Sequence, residues 1–267
     1  MVYPKKRESS KVKGRLYAPL KNADVPTMWH FGGLRNGHVH IIPRLCAIPR
    51  KHKAMSNVST SASVARALLV IDSLNITPDA PVTFKSGIHA PVYIDNRRLI
   101  FFPAQWHVII EACLSWLHSG YFTADVIAGV ETSGIPHSSA FAFNARLPSV
   151  FVRKQAKGHG LKQRVEGGNV ENQRVLLVED MVSTGESSLS AIDALRDSGA
   201  VVTDCLAIIT YGFPDTFARF DAAGVRLHTL TTFTTLLEEA TRAGKLSPDH
   251  ETIIRTWWAN PHEWRAS

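Results

Sequence analysis

The chain has 267 residues, 45% of them hydrophobic and 20% charged, enough for one full α/β domain with extensions and too mixed for a fibrous or disordered protein. It has no run of about 18 apolar residues, so no membrane helix is expected, and Cys46, Cys113 and Cys205 stand too far apart for a CxxC zinc or redox site, which leaves free thiols in a cytoplasmic setting. The formal net charge of +7 hints at a polyanion partner until it is located: residues 1–54 carry 12 Lys and Arg against 2 acids, and the remainder carries 18 against 21, so no nucleic-acid partner is expected for the main body.

Residues 1–54 are broken by five prolines and show no sustained periodicity, so a basic, mostly disordered or irregular extension is expected, with one domain over 55–267. Three readings of the extension compete: a tail that touches anionic partners, a targeting peptide, or a segment upstream of a start at Met55. The last is preferred, because MSNVSTSASVARALL makes a natural domain opening and the acids and prolines suit an Arg-rich presequence poorly.

From Ser61 the pattern turns regular. Val64, Ala65, Leu68, Leu69 and Ile71 follow helical spacing, with Ser61 or Ser63 as the expected cap. Residues 83–97 (TFKSGIHAPVYIDNR) read as two short strands around Ser86-Gly87, and 105–118 as an amphipathic helix. Then come a buried strand at 125–130, a helix at 134–145 and a strand at 149–153. The polar stretch 156–168, with four glycines, reads as a mobile loop. A strand at 174–179, a helix at 187–198 and a strand at 201–211 follow. A short strand near 226–230 and helices near 233–243 and 248–259 complete the pattern. Alternating strands and helices predict an α/β fold whose central, mainly parallel sheet is flanked by helices on both faces. Ligands of such sheets sit beyond the strands' carboxyl ends, so the loops after Val130, Arg153 and Glu179 should meet.

The most informative stretch is 175–188, VLLVEDMVSTGESS. An apolar strand ends in two carboxylates, Glu179 and Asp180. Met181 and Val182 lead on to Ser183, Thr184, Gly185, Glu186 and Ser187, which open a helix. Gly185 lets successive backbone N–H groups converge on one anion, and hydroxyls and the helix N-terminus add to that field. The acids suit a ribose cis-diol or a Mg²⁺ bound to the sugar. Together they describe a ribose 5-phosphate site. Neither GxxxxGK[ST] nor GxGxxG occurs. Arg153, Lys154, Lys157 and His159 place cationic donors on or beside the glycine-rich loop, suited to a lid over an anionic leaving group.

That stretch resembles the type I phosphoribosyltransferases, marked by an apolar strand, two acids and a TG-containing loop. The segments 84–97, 128–143, 152–160 (VRKQAKGHG), 210–213 (TYGF) and 256–264 (TWWANPHEW) are similar, in order, to the orotate phosphoribosyltransferase branch, over about residues 58–264. The resemblance implies a small N-terminal hood, a flexible catalytic loop and transfer of ribose 5-phosphate from 5-phosphoribosyl diphosphate (PRPP) to orotate. It implies Mg²⁺ held through PRPP rather than by the protein, and a homodimer whose loop reaches the neighbouring site. Carried over by position, Lys157, His159 and Asp180 are catalytic, with Lys157 the main catalytic lysine. Arg153, Lys154, Lys157, His159 and the run Glu179 to Ser187 bind PRPP, Ser183 faces orotate, and Lys85 meets orotate's carboxylate or the diphosphate. Two departures stand out. Glu131 occupies a position where a small or neutral residue is usual. Tyr211-Gly212-Phe213 stands where relatives carry an orotate-gripping arginine, leaving backbone near Tyr93 and Phe213 as the expected substitute. A phosphoribosyltransferase for a salvage base and a PRPP-sensing regulator are the alternatives. Trp257, Trp258 and Trp264 read as packing anchors.

Overall fold

The computed structural model describes residues 57–155 and 164–265. The expectations for residues 1–54, and those for Lys157 and His159, lie outside the described residues.

Helix α1 (Asn57–Val70) opens the described chain. It starts four residues before Ser61, so Ser61 and Ser63 lie within it and do not cap it; Ser63 Oγ instead donates back to the Ser59 carbonyl at 2.7 Å. Where two strands were expected there are four short ones. Strands β1 (Leu74–Ile76) and β4 (Val92–Ile94) pair antiparallel, as do β2 (Val82–Thr83) and β3 (His89–Ala90) about the Ser86-Gly87 turn. The added pair escapes periodicity because three residues are too few to show a period of two. A 3₁₀ turn (Asn96–Phe101) leads into α2 (Pro103–His118), which Pro103 starts with its φ already helical.

The main sheet holds β5 (Val126–Val130), β6 (Ser149–Val152), β7 (Val165–Glu166), β8 (Arg174–Val182), β9 (Val201–Thr210) and β10 (Arg226–Thr232), in the order β10-β9-β8-β5-β6-β7. All neighbours are parallel except β7, which runs antiparallel to β6 and places a strand inside the segment expected to be loop. Helices α3 (Gly134–Ala145), α4 (Glu186–Asp197), α5 (Pro214–Ala222), α6 (Phe233–Arg242) and α7 (Pro248–Ala259) connect and cover it.

Alternate residues of the strands enter two cores. Leu176 and Val178 join the core containing α1, α2, α6 and α7; Val175 and Leu177 join the one packed by α4 and α5. Burial on both faces is why these strands read as unbroken apolar runs. The expected packing tryptophans are anchors here. Trp257 is fully buried with its indole N–H on the His89 carbonyl at 2.8 Å, and Trp258 Nε1 donates to the Tyr211 carbonyl at 2.7 Å. This ties α7 to the small antiparallel pairs and to the end of β9. From β5 the chain order runs to β6 on one side and to β8 on the other, and that reversal opens a crevice at their carboxyl ends.

Candidate active site

Strand β8 continues past the acid pair to Val182, further than the apolar run suggests. Glu179 is buried and Asp180 half-buried. Burial pushes both carboxyls upward, Glu179 well above the usual carboxylate range, with the neighbouring Asp180 charge adding to it. Two acids this close, without a bound cation, share their charge reluctantly. Both line a cavity of about 620 Å³. The pair is held from outside the sheet: Asn96, buried at the start of the 3₁₀ turn, donates from Nδ2 to the Asp180 carbonyl at 2.8 Å.

The segment after β8 turns into α4 through Gly185, whose φ of +79° suits glycine. A Cβ there would also lie 2.7 Å from Cε2 of Phe220, so both backbone and space demand its absence. Thr216, buried in the first turn of α5, donates to the Ser183 carbonyl at 2.6 Å and pins the start of the loop. Ser183, Thr184, Gly185, Glu186 and Ser187 all line the cavity, as do Met181 and Val182. The backbone N–H groups at the head of α4 and the neighbouring hydroxyls form an anion cradle.

The opposite wall comes from the end of β5 and the start of α3. Gly134 lets α3 approach β8 closely, since a Cβ would sit 2.6 Å from the Val178 carbonyl oxygen and 3.5 Å from Glu179 Oε1. Thr132 and Ser133 line the cavity here. Glu131 lines it too, but its Oε2 accepts the backbone N–H of Lys154 at 2.8 Å, so the carboxylate is engaged in tying β5 to the end of β6. Lys85 and Lys154 reach the cavity. Arg153 does not. It pairs with Glu166 at 3.1 Å and lines an adjoining depression of about 90 Å³ together with Lys85, Lys154 and Arg164. The structure therefore brings together Lys85, Lys154 and the run Glu179 to Ser187, with Arg153 one step aside.

Arg97 and His137 are among the lining residues that were missed. Arg97 is exposed in the cavity; its sequence signal was the ending DNR of a segment already singled out. His137 is buried in the first turn of α3, its Nδ1 3.0 Å from Trp106 Nε1. Burial lowers its pKa to about 4, so the ring is neutral near pH 7. Tyr211 and Phe213, expected near the base, are buried and stacked on each other at 5.6 Å, and neither they nor Tyr93 lines the cavity. Among the described residues no three His, Cys, Asp or Glu side chains gather as a metal site, and no helix is long and apolar enough to cross a membrane. Glu179 and Asp180 are the residues that could stand beside a Mg²⁺ ion brought in on a phosphorylated substrate.

Comparison with known proteins agrees with this geometry. The family described as phosphoribosyl transferase domain matches residues 105–211. The orotate phosphoribosyltransferase of Coxiella burnetii is 36% identical over 208 residues, covering 78% of this chain and all of the relative. That of Bacillus caldolyticus is 37% identical over 75% of this chain and 97% of its own. Among solved structures, the orotate phosphoribosyltransferase of Aeropyrum pernix superposes with a TM-score of 0.60 at 28% identity, over 67% of this chain and 98% of that one. The UMP synthase of Leishmania donovani superposes with a TM-score of 0.66 at 25% identity, over 74% of this chain, which spans 42% of that longer one.

Proposed function

The chain belongs to the orotate phosphoribosyltransferase family, and on that premise we propose that its cavity transfers ribose 5-phosphate from PRPP to orotate, giving orotidine 5′-phosphate and diphosphate for pyrimidine nucleotide synthesis. The observation that carries the reading is the meeting of the acid pair Glu179-Asp180, the cradle Ser183 to Ser187 and the cations Lys85 and Lys154 around one cavity.

The parts divide the substrate. Thr184 to Ser187 and the N-terminus of α4 take the 5′-phosphate. Glu179 and Asp180 accept from the ribose hydroxyls. Thr132, Ser133 and Lys154 face the diphosphate, and Ser183 and Lys85 the base. In the reaction the bond from C1′ to the diphosphate oxygen breaks, and its electron pair leaves with diphosphate. N1 of orotate bonds to C1′, and its proton passes to the departing diphosphate or to solvent. No covalent nucleophile on the protein is required. The protein must instead balance charge on the departing diphosphate and keep water from a cationic C1′.

Lys157, His159 and Arg153 complete this charge balance, with Lys157 the main catalytic lysine and Arg153 released from Glu166 when diphosphate binds. A Mg²⁺ ion brought in with PRPP would stand near Glu179 and Asp180 and would add positive charge to balance the leaving group. A cytoplasmic homodimer, with segment 156–168 of one subunit reaching the other's site, fits the reading. Buried, unpaired Cys113 and Cys205 suit a reducing compartment. Phe101 and Phe143, 82% and 83% exposed, offer apolar surface for a subunit contact.

The test is an initial-rate assay with Mg²⁺, PRPP and a panel of bases. Orotate is expected to be consumed with release of diphosphate. Turnover of hypoxanthine or uracil without orotate would replace the reading with a salvage enzyme, and no turnover of any base with PRPP still bound would favour a regulator.

A further inference from the structure

The segment following β9 offers Tyr211, Gly212 and Phe213 and no cation, and both aromatic rings are turned into the core. Yet the base proposed above carries a carboxylate. Among the described residues the cavity has three basic side chains, Lys85, Arg97 and Lys154. Lys85 and Lys154 also line the adjoining depression that holds Arg153 and Arg164, so neither faces the base cavity exclusively. Arg97 lines the larger cavity and not the adjoining depression.

Its position is fixed by neighbours on both sides. Asn96, the preceding residue, is tied to the Asp180 carbonyl at 2.8 Å, which seats Arg97 beside the acid pair and hence beside the ribose. Its Nε donates to Asp95 Oδ1 at 2.6 Å, and Nη2 donates to the Tyr93 hydroxyl at 3.2 Å. Those two bonds occupy the lateral edge of the guanidinium and orient its plane. The terminal edge, one N–H from each Nη, remains open among the described residues. That edge matches the two oxygens of a carboxylate in a fork a lysine cannot present. Ile100, half exposed on the same 3₁₀ turn, lines the cavity next to it and offers an apolar contact for a flat ring.

We propose that Arg97 binds the carboxylate of the incoming base and selects an acidic pyrimidine over neutral ones, replacing an arginine that the β9 end does not supply. The inference rests on the reading of this cavity as an orotate site. It gives the 3₁₀ turn a double function, bracing the ribose acids through Asn96 and reading the base through Arg97. Asp95 and Tyr93 act on the substrate through Arg97 and are positioning residues.

The test compares wild type with Arg97→Gln and Arg97→Lys, each checked for folding by thermal melting. KM is measured separately for orotate and for PRPP, and orotate is competed against uracil. The expected result is an orotate KM raised about 10- to 100-fold in both variants, a PRPP KM within about threefold, and a matching fall in preference for orotate over uracil. Lysine should rescue little, because charge without the fork is not enough. An unchanged orotate KM overturns the proposal, and so does a PRPP KM that rises as much as the orotate KM, which would make Arg97 a partner of Asp180 instead. If Gln at this position does not fold, the lysine variant decides by the same two constants. Failure of the underlying reading is separate: there the wild type itself would not use orotate.

Discussion

Asn96 Nδ2 donates to the Asp180 backbone carbonyl at 2.8 Å across 84 residues of sequence, joining the 3₁₀ turn to the strand that carries Glu179 and Asp180. The side chain is buried, so its loss would leave the β8 carbonyl without this partner. Asn96→Ala is expected to cost about 1–3 kcal/mol of stability, read as a thermal midpoint lower by roughly 2–4 °C for each kcal/mol. Because the bond positions Asp180, the PRPP KM should rise as well. Asn96→Asp should be worse in both measurements, since it sets a carboxylate against a carbonyl oxygen and close to two other acids. A variant with normal melting and normal kinetics would show the two segments to be independent.

Glu179 carries a pH signature. Burial first, and then the Asp180 charge, raise its carboxyl well above the usual range. The folded protein therefore binds a proton that the unfolded chain releases near pH 4.3, roughly the ordinary glutamate value. Its contribution to stability is full below that pH and is lost as pH rises through the folded pKa. Glu179→Gln keeps the neutral shape and removes the titration. The variant should melt above wild type at pH 8, with the gap closing as pH approaches about 4. Its kcat/KM should fall about 100-fold, since an amide is a poorer acceptor for the ribose hydroxyls. Melting below wild type at every pH would mean that the native carboxylate is ionised and stabilising.

Gly185 allows a clean comparison with a second glycine. Both Gly185 and Gly212 have positive φ, +79° and +75°, but a Cβ on Gly185 meets Phe220 at 2.7 Å while one on Gly212 meets nothing within 4 Å. Gly212→Ala should cost only backbone strain, about 1 kcal/mol. Gly185→Ala should cost more, about 2–4 kcal/mol, and should raise the PRPP KM by at least about tenfold because the phosphate cradle shifts with it. Chemical denaturation and initial rates on the two variants give the comparison. Equal losses of stability would remove Phe220 from the account.

The sheet was legible because its strands are buried on both faces: VIAGV and VLLV are apolar at every position, and the helices between them keep a clear period. That the residues after β8 line one cavity was legible because hydroxyls, glycine and acids lie within one short run. What stayed hidden depends on distant pairing. The β1–β4 pair joins Leu74 to Ile94 and has no local signature. Strand β8 was taken to end at its charges, but Met181 and Val182 pair with Ile209 and Thr210 of β9, and that pairing outweighs the local polarity of Glu179-Asp180. Arg97 and His137 needed the fold as well, because a single arginine or histidine is unremarkable until the chain places it in a cavity.

His137 carries a tautomer that can be measured. An indole N–H only donates, so the 3.0 Å contact from Trp106 Nε1 makes His137 Nδ1 the acceptor and puts the ring proton on Nε2. With its pKa lowered to about 4 by burial, the ring should hold this neutral form from pH 5 to 8. Nε2 is buried without a partner among the described residues, although His137 borders the cavity, so the neutral ring leaves one N–H unsatisfied. Nitrogen-15 NMR of labelled histidine should show a protonated Nε2 and an unprotonated Nδ1 across that range. Trp106→Phe removes the indole donor and frees the ring to change tautomer. It should cost about 1 kcal/mol of stability and lower kcat/KM by roughly 5- to 10-fold, since 1 to 1.4 kcal/mol of lost orientation corresponds to that factor. His137→Gln should lose a similar amount, and adding Trp106→Phe to it should change kcat/KM little further, because the two side chains act as one unit. Additive losses in the double variant would mean that Trp106 acts on the site by another route, through its packing on α3.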